Sequence, residues 1–427
     1  MSSSRTSFWL IFIFLIDPIY CDKLNDTLPE CIHINPVEDM ARWDAYDYSS
    51  CKIEEFKPEN GTTEFKYYMD NERSYAFNIF ASDKVGPRRT LEGQSTHKRC
   101  EVIEYRVTLS ASIIIIYHNE AFSVLVRMIN GILRETPENI LTEIILYDDF
   151  SDLPIEKHLR KYATEVNPQW DLNKIKFHRS EKREGLIRSK VYASRLATAD
   201  VLIFLDSHCE VTPGWIEPLL SEIQEDNHRV VLPVVDLIDP FKFHYSKAMI
   251  AKGTFDWSLK FDWEYFDWSY FDNEENYVKP FKTVAMSGGL LAVHKEFFRK
   301  IGEYDTGMEI WGAENIEMSI RVWLCGGSIM VAPCSRVGHT FRMRRPYVGR
   351  PGVDTNLYNS LRTASVWLDE FKEKFIERRP AAMKMDPGDL RERLKLKESL
   401  NCKPFSWFIE HVHPRLQPTA ENLKTEL

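Results

Sequence analysis

The chain lacks features that would place it in several common functional classes. It has no block of Lys and Arg, and 55 basic residues face 64 acidic ones, for a net charge of −9. Because a nucleic-acid binder needs a basic surface to neutralise phosphates, this balance excludes a general nucleic-acid-binding function. The eight cysteines include no Cys-x-x-Cys pair, which argues against a zinc ribbon and favours disulfides in an oxidising compartment.

A long apolar run is also missing. Residues 8–16 form an apolar run that follows Arg5, whereas a bilayer-spanning helix needs about 20 such residues. Residues 1–20 are therefore predicted to be a signal peptide or, if they stay uncleaved, a short membrane anchor. Both alternatives send the chain into the secretory pathway, and the N-glycosylation acceptors at Asn25 and Asn60 agree with this.

Beyond a polar, turn-rich segment at 21–100, which is predicted to be a stem, buried strands alternate with helical patterns. The apolar runs are residues 112–116, 143–147 and 201–205, each typical of a strand buried on both faces. Every run ends in polar residues, around His118, Asp149 and Asp206. This alternation predicts an α/β fold with a parallel sheet. Because ligands bind at the carboxyl ends of such strands, we expect the three polar clusters to meet at one site.

Asp206 and His208, two residues apart after the third strand, are candidate metal ligands. Carboxylate and imidazole together suit Mn²⁺, Fe²⁺ or Zn²⁺ better than Ca²⁺, and a divalent ion can stabilise a diphosphate leaving group. In the structural alternative, Asp206 caps the next helix and His208 is a core histidine. The buried strand before them favours the metal interpretation.

Other motifs leave both alternatives open. Gly288-Gly289 permits close backbone approach to a ligand or simply marks a tight turn. Glu314 and Asn315 open a helical run, so they either cap the helix or face a sugar. His339 is a candidate further metal ligand, with arginines after it that could neutralise phosphates. The aromatic–acidic stretch at 255–268 is either a packed surface segment or the wall of a substrate site.

Several strings, taken together, resemble one family. The chain contains Arg-Glu-Gly-Leu at 183–186, Phe-Leu-Asp-Ser-His-Cys-Glu at 204–210, Phe-Asp-Trp-Ser-Leu at 255–259 and Pro-Cys-Ser-Arg-Val-Gly-His at 333–339. In this order they resemble the polypeptide N-acetylgalactosaminyltransferases over roughly residues 85–415. The resemblance implies a GT-A-type fold, a Rossmann-like mixed sheet flanked by helices. It also implies a Mn²⁺ cofactor, UDP-N-acetylgalactosamine (UDP-GalNAc) as donor, Ser/Thr hydroxyls of polypeptides as acceptors, and retention of the anomeric configuration.

The resemblance also implies a role for individual residues. The implied manganese ligands are Asp206, His208 and His339. The implied donor-binding residues are His118, Asp149, Arg183, Gly288, Gly289, Arg342 and Tyr347. The residues implied to act at the reacting sugar are Glu314, Asn315 and Trp311, with Trp311 on a mobile loop and Glu314 positioning the donor instead of acting as a nucleophile. The implied acceptor-facing aromatics are Phe255, Trp257 and Phe341. The implied disulfides are Cys100–Cys334 and Cys325–Cys402, which leaves Cys209 free.

The resemblance further divides the chain and marks departures from the family. Residues 101–225 are expected to form a nucleotide-sugar-binding half and 226–415 an acceptor-binding half. Residues 416–427 are expected to be a tail, without the lectin domain that family members usually carry there. Ile116 stands where a Thr is common, Ala313 replaces the second Gly of Trp-Gly-Gly-Glu, and Val284 replaces a Pro. An alanine at 313 strains the loop if that position needs a positive φ.

Three functions follow from these patterns. The first is an active, Golgi-lumenal transferase, with the Golgi address resting on the resemblance and the N-terminal segment anchoring it in the membrane if uncleaved. The second is a catalytically weak or inactive homologue that binds UDP-sugar or peptide without turnover. The third, a metal-dependent hydrolase, is disfavoured because the sequence offers no evident carboxylate pair or activated nucleophile.

Overall fold

The computed structural model describes residues 32–49, 51, 61–91, 96–342, 344–346, 349 and 352–417. Its strands are β1 (Ala111–Tyr117), β2 (Leu141–Asp148), β3 (Ile175–Arg179), β4 (Val201–Asp206), β5 (Cys209–Val211), β6 (Arg229–Ile238), β7 (Tyr245–Ser246), β8 (Ala251–Phe255), β9 (Phe261–Tyr265), β10 (Phe281–Lys282), β11 (Leu291–His294) and β12 (Ser328–Thr340). Its α-helices are α1 (Met40–Ala45), α2 (Thr63–Tyr75), α3 (Ile79–Val85), α4 (Phe122–Glu135), α5 (Ile155–Lys161), α6 (Leu186–Leu196), α7 (Glu217–Glu225), α8 (Lys295–Lys300), α9 (Glu314–Leu324), α10 (Thr355–Trp367), α11 (Lys372–Arg378), α12 (Arg391–Ser399) and α13 (Phe405–His411). None of these helices has the length and apolar character that crossing a membrane requires. The predictions for residues 1–20 and for 418–427 of the tail lie outside the described residues.

The core of the molecule is one mixed sheet of ten strands. Its main order is β10-β12-β6-β11-β4-β1-β2-β3, with β5 added to β12 and β7 to β6. β1 runs parallel to β2 and β4, and β12 runs parallel to β6, whereas β11 is antiparallel to both of its neighbours. The predicted α/β class with a mixed sheet is therefore confirmed.

Alternation along β1 explains how helices cover both faces of the sheet. Ile114 and Ile116 belong to the hydrophobic core formed with α6 and α9. Ile113 and Ile115 belong to the opposite core, which α4 and α7 complete. Successive side chains of a strand point to opposite faces, so a continuous isoleucine run is stable only where helices cover both. This layering leaves the carboxyl ends of the strands open for a ligand.

The two expected halves, 101–225 and 226–415, share one sheet in the structure. β6, β11 and β12 come from the second half but continue the sheet that the first half begins. β6 was not predicted from the sequence, because Pro233 and Asp236 interrupt its run of buried Val and Leu. The aromatic residues themselves form a separate β8–β9 hairpin.

The described part of the predicted stem is packed against the sheet domain. Trp43 is fully buried, and its ring centroid lies 6.1 Å from that of Phe122 on α4. Phe77 packs edge-on against Phe243, with ring centroids 5.3 Å apart. Residues 32–49 and 61–91 are therefore not an extended stem. Their apolar anchors are large but irregularly spaced, which leaves no periodic signal in the sequence.

Candidate active site

The three predicted metal ligands lie together at the carboxyl end of β4. Asp206 is the last residue of β4, and His208 follows directly before β5. β5 pairs with β12 so that Cys209 is opposite His339, which places the two histidine rings 4.7 Å apart. His339 Nε2 lies 3.2 Å from Asp206 Oδ2, and one ligand atom from each of the three residues falls within 4.8 Å of the others.

The donor set and its supports fit a manganese ion. One carboxylate and two imidazoles are ligands that Mn²⁺ accepts. Glu120 Oε2 lies 3.1 Å from His208 Nδ1, so this carboxylate can accept the Nδ1 proton and leave Nε2 free for a metal. A carboxylate that orients a ligating histidine in this way typically accompanies metal sites. The sequence analysis assigned no role to Glu120, although it stands in the same polar cluster as His118.

Glu120 connects the metal ligands to Arg342. It is 2% exposed, accepts the hydroxyl proton of Ser207 over 2.6 Å, and accepts from Arg342 Nη2 over 2.5 Å. Burial by itself would raise the pKa of this carboxyl, but the Arg342 guanidinium and the bonds from His208 and Ser207 hold it well below its usual value. Glu120 is therefore a carboxylate that keeps Arg342 at the metal site. Tyr347, the other predicted diphosphate contact, lies outside the described residues.

His118, Asp149 and Arg183 form one end of the first cavity, a space of about 470 Å³ whose walls also include Ile116, Asp206, His208 and His339. Asp149 is fully buried and accepts the backbone N–H groups of Glu184 and Gly185, at 2.8 and 2.9 Å. It also forms an ion pair with Arg183. These contacts fix Asp149 and, through it, the loop before α6.

His118 is held as a neutral ring at this end of the first cavity. Its Nδ1 lies 2.9 Å from the carbonyl oxygen of Asp149, so Nδ1 carries the proton and donates. Burial, helped by the nearby Arg183 charge, lowers the pKa of His118 to about 4. The structure thus brings the polar clusters after β1, β2 and β4 to one cavity, as the strand pattern predicted.

Gly288, Gly289, Glu314 and Asn315 line the second cavity, a space of about 430 Å³ that shares Asp206, Trp311, His339 and Phe341 with the first. A Cβ atom at Gly289 would lie 2.4 Å from Asp206 Oδ2, and Gly288 has a φ of +95°. Both glycines are therefore required by close approach and backbone conformation, not by a turn alone.

Of the two alternatives left open for Glu314 and Asn315, capping is not seen, because neither side chain caps α9. Glu314 is 4% exposed and accepts the backbone N–H of Gly312 over 2.7 Å, at the start of α9. Asn315 Nδ2 donates to the carbonyl of Met286 over 2.9 Å. Burial raises the pKa of Glu314. Both residues are also in the wall of the second cavity.

The loop that carries Trp311 contains a strained alanine. Ala313 has a φ of 66° and a ψ of −10°, a left-handed conformation that costs an L-residue with a Cβ roughly 1–2 kcal/mol. Trp311 lines both cavities, and the guanidinium of Arg345 lies 4.5 Å from the centre of its ring. The strained Ala313 therefore belongs to the loop whose Trp311 lies in the walls of both cavities.

The three aromatics that were predicted to face the acceptor lie in different environments in the structure. Phe341 is 40% exposed and lines both cavities. Phe255 is 3% exposed and packs against Phe408 and His413, and Trp257 stacks on Phe371. Neither Phe255 nor Trp257 is among the described residues that line the cavities.

Two other aromatics of the hairpin reach the second cavity instead. Phe261 and Trp263, on one face of β9, are part of its wall. Phe255 is directly opposite Phe261 in the hairpin, so the two side chains share one face. Phe255 on β8 nevertheless packs against Phe408 and His413, whereas Phe261 and Trp263 on β9 reach the cavity. This difference is not visible in the aromatic string itself.

Two disulfides join pairs of described cysteines around the sheet. Cys100 is bonded to Cys334 in β12, and Cys325 at the end of α9 is bonded to Cys402. These are the two pairs that the resemblance implied. Cys209, directly after His208, is free and buried. Burial raises the pKa of its thiol well above the usual value, so it behaves as a small core residue.

Comparison with known proteins agrees with this site. The family model described as glycosyl transferase family 2 matches residues 112–302, and that described as N-terminal domain of galactosyltransferase matches 272–346. "Probable N-acetylgalactosaminyltransferase 8" of Caenorhabditis elegans is 49% identical over 96% of this chain and 98% of its own length. "Polypeptide N-acetylgalactosaminyltransferase 11" of Xenopus tropicalis is 43% identical over 83% of this chain, which spans 58% of that protein.

A solved structure shows the same architecture. The crystal structure of GalNAc-T7 with UDP, GalNAc and Mn²⁺ matches with a TM-score of 0.73 at 34% identity, covering 84% of this chain and 67% of that one. The mixed sheet, with a carboxylate and two histidines at its strand ends, is therefore that of a GT-A-type glycosyltransferase. Within that class, the chain belongs to the polypeptide N-acetylgalactosaminyltransferase family.

Proposed function

We propose that this protein transfers N-acetylgalactosamine from UDP-GalNAc to Ser and Thr hydroxyls of polypeptides, with Mn²⁺ as cofactor and retention of configuration. The observation that carries the proposal is the Asp206, His208 and His339 cluster between two joined cavities. The relatives named above supply the donor and the acceptor class, because their names and the ligands of GalNAc-T7 specify them.

Each end of the joined cavities suits one part of the donor. At the first cavity, His118 and Asp149 offer a fixed ring and carboxylate to the uridine. Asp206, His208 and His339 would hold Mn²⁺, which would supply positive charge to stabilise the diphosphate leaving group. Arg342, kept at the site by Glu120, adds a second positive group for the same oxygens.

The second cavity suits the sugar and the acceptor. Gly288 and Gly289 leave room for a sugar beside Asp206, while Glu314 and Asn315 offer a carboxylate and an amide to its hydroxyl and acetamido groups. Trp311 covers the junction of the two cavities. We assign acceptor contacts to Phe341, Phe261 and Trp263, since these aromatics line the cavity wall, and not to Phe255 or Trp257.

No protein base is required by this proposal. The acceptor hydroxyl attacks from the side of the leaving group, and a diphosphate oxygen of UDP takes its proton. Glu314, whose carboxylate already accepts from Gly312, positions the donor. Arg342 stabilises the negative charge that develops on the departing UDP, which is the role expected of an electrostatic stabiliser.

We further propose that the protein works in the Golgi lumen. The disulfides Cys100–Cys334 and Cys325–Cys402 are of a kind that forms in oxidising compartments. Asn25 and Asn60 are proposed glycosylation sites. The signal or anchor role of residues 1–20 remains a sequence-based prediction, since that segment lies outside the described residues.

The proposal is tested by incubating the purified chain with UDP-GalNAc, Mn²⁺ and a Ser/Thr peptide library, with mass-spectrometric detection. We expect transfer that a chelator abolishes and Mn²⁺ restores, and no transfer by His208→Ala at an unchanged melting temperature. His228→Ala is a matched control, because His228 is a surface histidine paired with Asp226 away from the site. Binding of UDP-GalNAc without transfer to any peptide would instead support the inactive-homologue alternative.

A further inference from the structure

Lys190 is a buried cation to which no role has been given above. It lies on α6, is 2% exposed, and is not among the described residues that line either cavity. Burying an ammonium group costs several kcal/mol unless polar partners compensate it. A methionine would fill a similar volume without this cost, so the charge calls for a functional explanation.

The ammonium of Lys190 holds one specific carbonyl. Its Nζ donates to the backbone oxygen of Gly288 over 2.8 Å. On its other sides it faces the rings of Phe204 and Tyr304, whose centres are 5.9 and 5.7 Å away. Aromatic faces attract a cation but offer it no hydrogen-bond geometry, so the direction of this ammonium is set by Gly288.

That carbonyl belongs to the turn that makes space in the second cavity. Gly288 is in a left-handed conformation, and Gly289 directly faces the carboxylate of Asp206. A glycine pair has more conformational freedom than any other dipeptide, so this turn needs an outside contact to keep one shape. The positive charge of Lys190 also acts on the carboxylates of Asp206 and Glu314, which line the same cavity as the turn.

We propose that Lys190 is a positioning residue for the donor sugar, which acts by fixing the Gly288–Gly289 turn from behind. This inference rests on the proposed function, because the second cavity must hold the sugar of UDP-GalNAc. It predicts that Lys190 matters for the sugar but not for the uridine or the diphosphate, which are expected in the first cavity. Affinity for UDP and affinity for UDP-GalNAc should therefore respond differently.

The test measures the dissociation constants of UDP and UDP-GalNAc by calorimetry in saturating Mn²⁺, together with KM and kcat for transfer. For Lys190→Met we expect a UDP dissociation constant within about twofold of wild type and a UDP-GalNAc constant raised at least fivefold. Lys190→Arg, which keeps the charge and a donor, should recover part of that loss. Lys295→Met is the matched control, because Lys295 also donates to a backbone carbonyl, that of Thr198, over 2.9 Å, yet is exposed at the opposite end of β4.

Each possible outcome supports or overturns the positioning role of Lys190. An equal loss for UDP and UDP-GalNAc, or no loss for either, overturns the positioning role while leaving the transferase proposal intact. A wild-type protein that neither binds UDP-GalNAc nor transfers it overturns both. If Lys190→Met does not yield folded protein, Lys190→Gln, which removes the charge but keeps an N–H donor on a shorter side chain, carries the same measurement, with a smaller rise expected for UDP-GalNAc and again none for UDP.

Discussion

The alanine at position 313 offers the sharpest test of how the structure bears on function. Its φ of 66° is one that glycine adopts freely, whereas a residue with a Cβ loses roughly 1–2 kcal/mol there. Glycine in turn costs about 0.5–1 kcal/mol more backbone entropy on folding. Ala313→Gly should therefore stabilise the folded protein by about 0.5–1 kcal/mol.

The corresponding thermal shift is small because the protein is large. An unfolding entropy of about 2.1 cal/mol/K per residue, taken over 427 residues, gives roughly 0.9 kcal/mol/K. Differential scanning calorimetry should thus show an increase in Tm of about 1 °C. The effect on the loop should be easier to detect than the change in Tm, because 1 kcal/mol changes the equilibrium between two loop conformations about fivefold. We expect the KM for UDP-GalNAc to fall two- to fivefold as the loop carrying Trp311 settles in the observed conformation.

Two control variants distinguish the effect of backbone strain at a residue from the effect of its position in the site. Ala76 also has a positive φ, 58°, at the end of α2, and it is not among the described residues that line either cavity, so Ala76→Gly should raise Tm without changing the KM. Gly312→Ala should do the opposite of Ala313→Gly, because Gly312 has a φ of +105° and a Cβ there would lie 2.7 Å from Asn356 Nδ2. A lower Tm for Ala313→Gly, or an equal change in KM for Ala76→Gly, would refute the reasoning.

Further predictions concern the supports of the site. Glu120→Gln should weaken Mn²⁺-dependent UDP binding about 10- to 100-fold in calorimetry, because a metal-ligating histidine loses its charged partner; an unchanged affinity would contradict this role. Burial lowers the pKa of His118 to about 4, so an NMR titration should show a neutral ring down to about pH 5. The stability that depends on this ring being neutral should be present above pH 6.5 and should decline as the pH falls toward 4. Trp263→Ala should raise the KM for peptide acceptors at an unchanged rate of UDP-GalNAc hydrolysis, whereas Trp257→Ala should lower Tm. Replacing Cys325 and Cys402 with serine should lower the free energy of unfolding by up to about 4 kcal/mol, since the bond spans 77 residues; a denaturation curve that matches wild type would disprove this.

The sequence was sufficient for the strands whose signal is local. β1, β2 and β4 are continuous apolar runs followed at once by polar residues, so both their existence and their convergence at one site could be predicted. β6 is as apolar, yet it lies beside an aromatic–acidic segment and pairs with β11 and β12, which are distant in the chain. Its place in the sheet depends on those long-range pairings, and a local pattern does not contain them.

The same distinction applies to the aromatic residues. Phe255, Trp257, Phe261 and Trp263 are equivalent as letters in a string, and the resemblance assigned the first two to the acceptor. In the structure Phe255 on β8 packs on Phe408, although it shares a face of the hairpin with Phe261, its cross-strand partner on β9. Which of these aromatics meets the cavity therefore depends on the elements that cover each strand, and the aromatic string does not contain those long-range contacts.

The sequence could not show which buried residues support the metal ligands and the glycine turn. Asp206, His208 and His339 stood out because their residue types are chemically conspicuous, although 133 residues separate the first from the last. Glu120 and Lys190 are buried charges whose roles exist only through partners, His208 and Arg342 for the former and Gly288 for the latter. A buried charge is tolerated only where its partners are fixed. Glu120 holds the metal end of the site from the wall of the first cavity, and Lys190 holds the sugar end from outside both walls. The geometry of the whole site therefore depends on two buried charges whose roles are set by their partners.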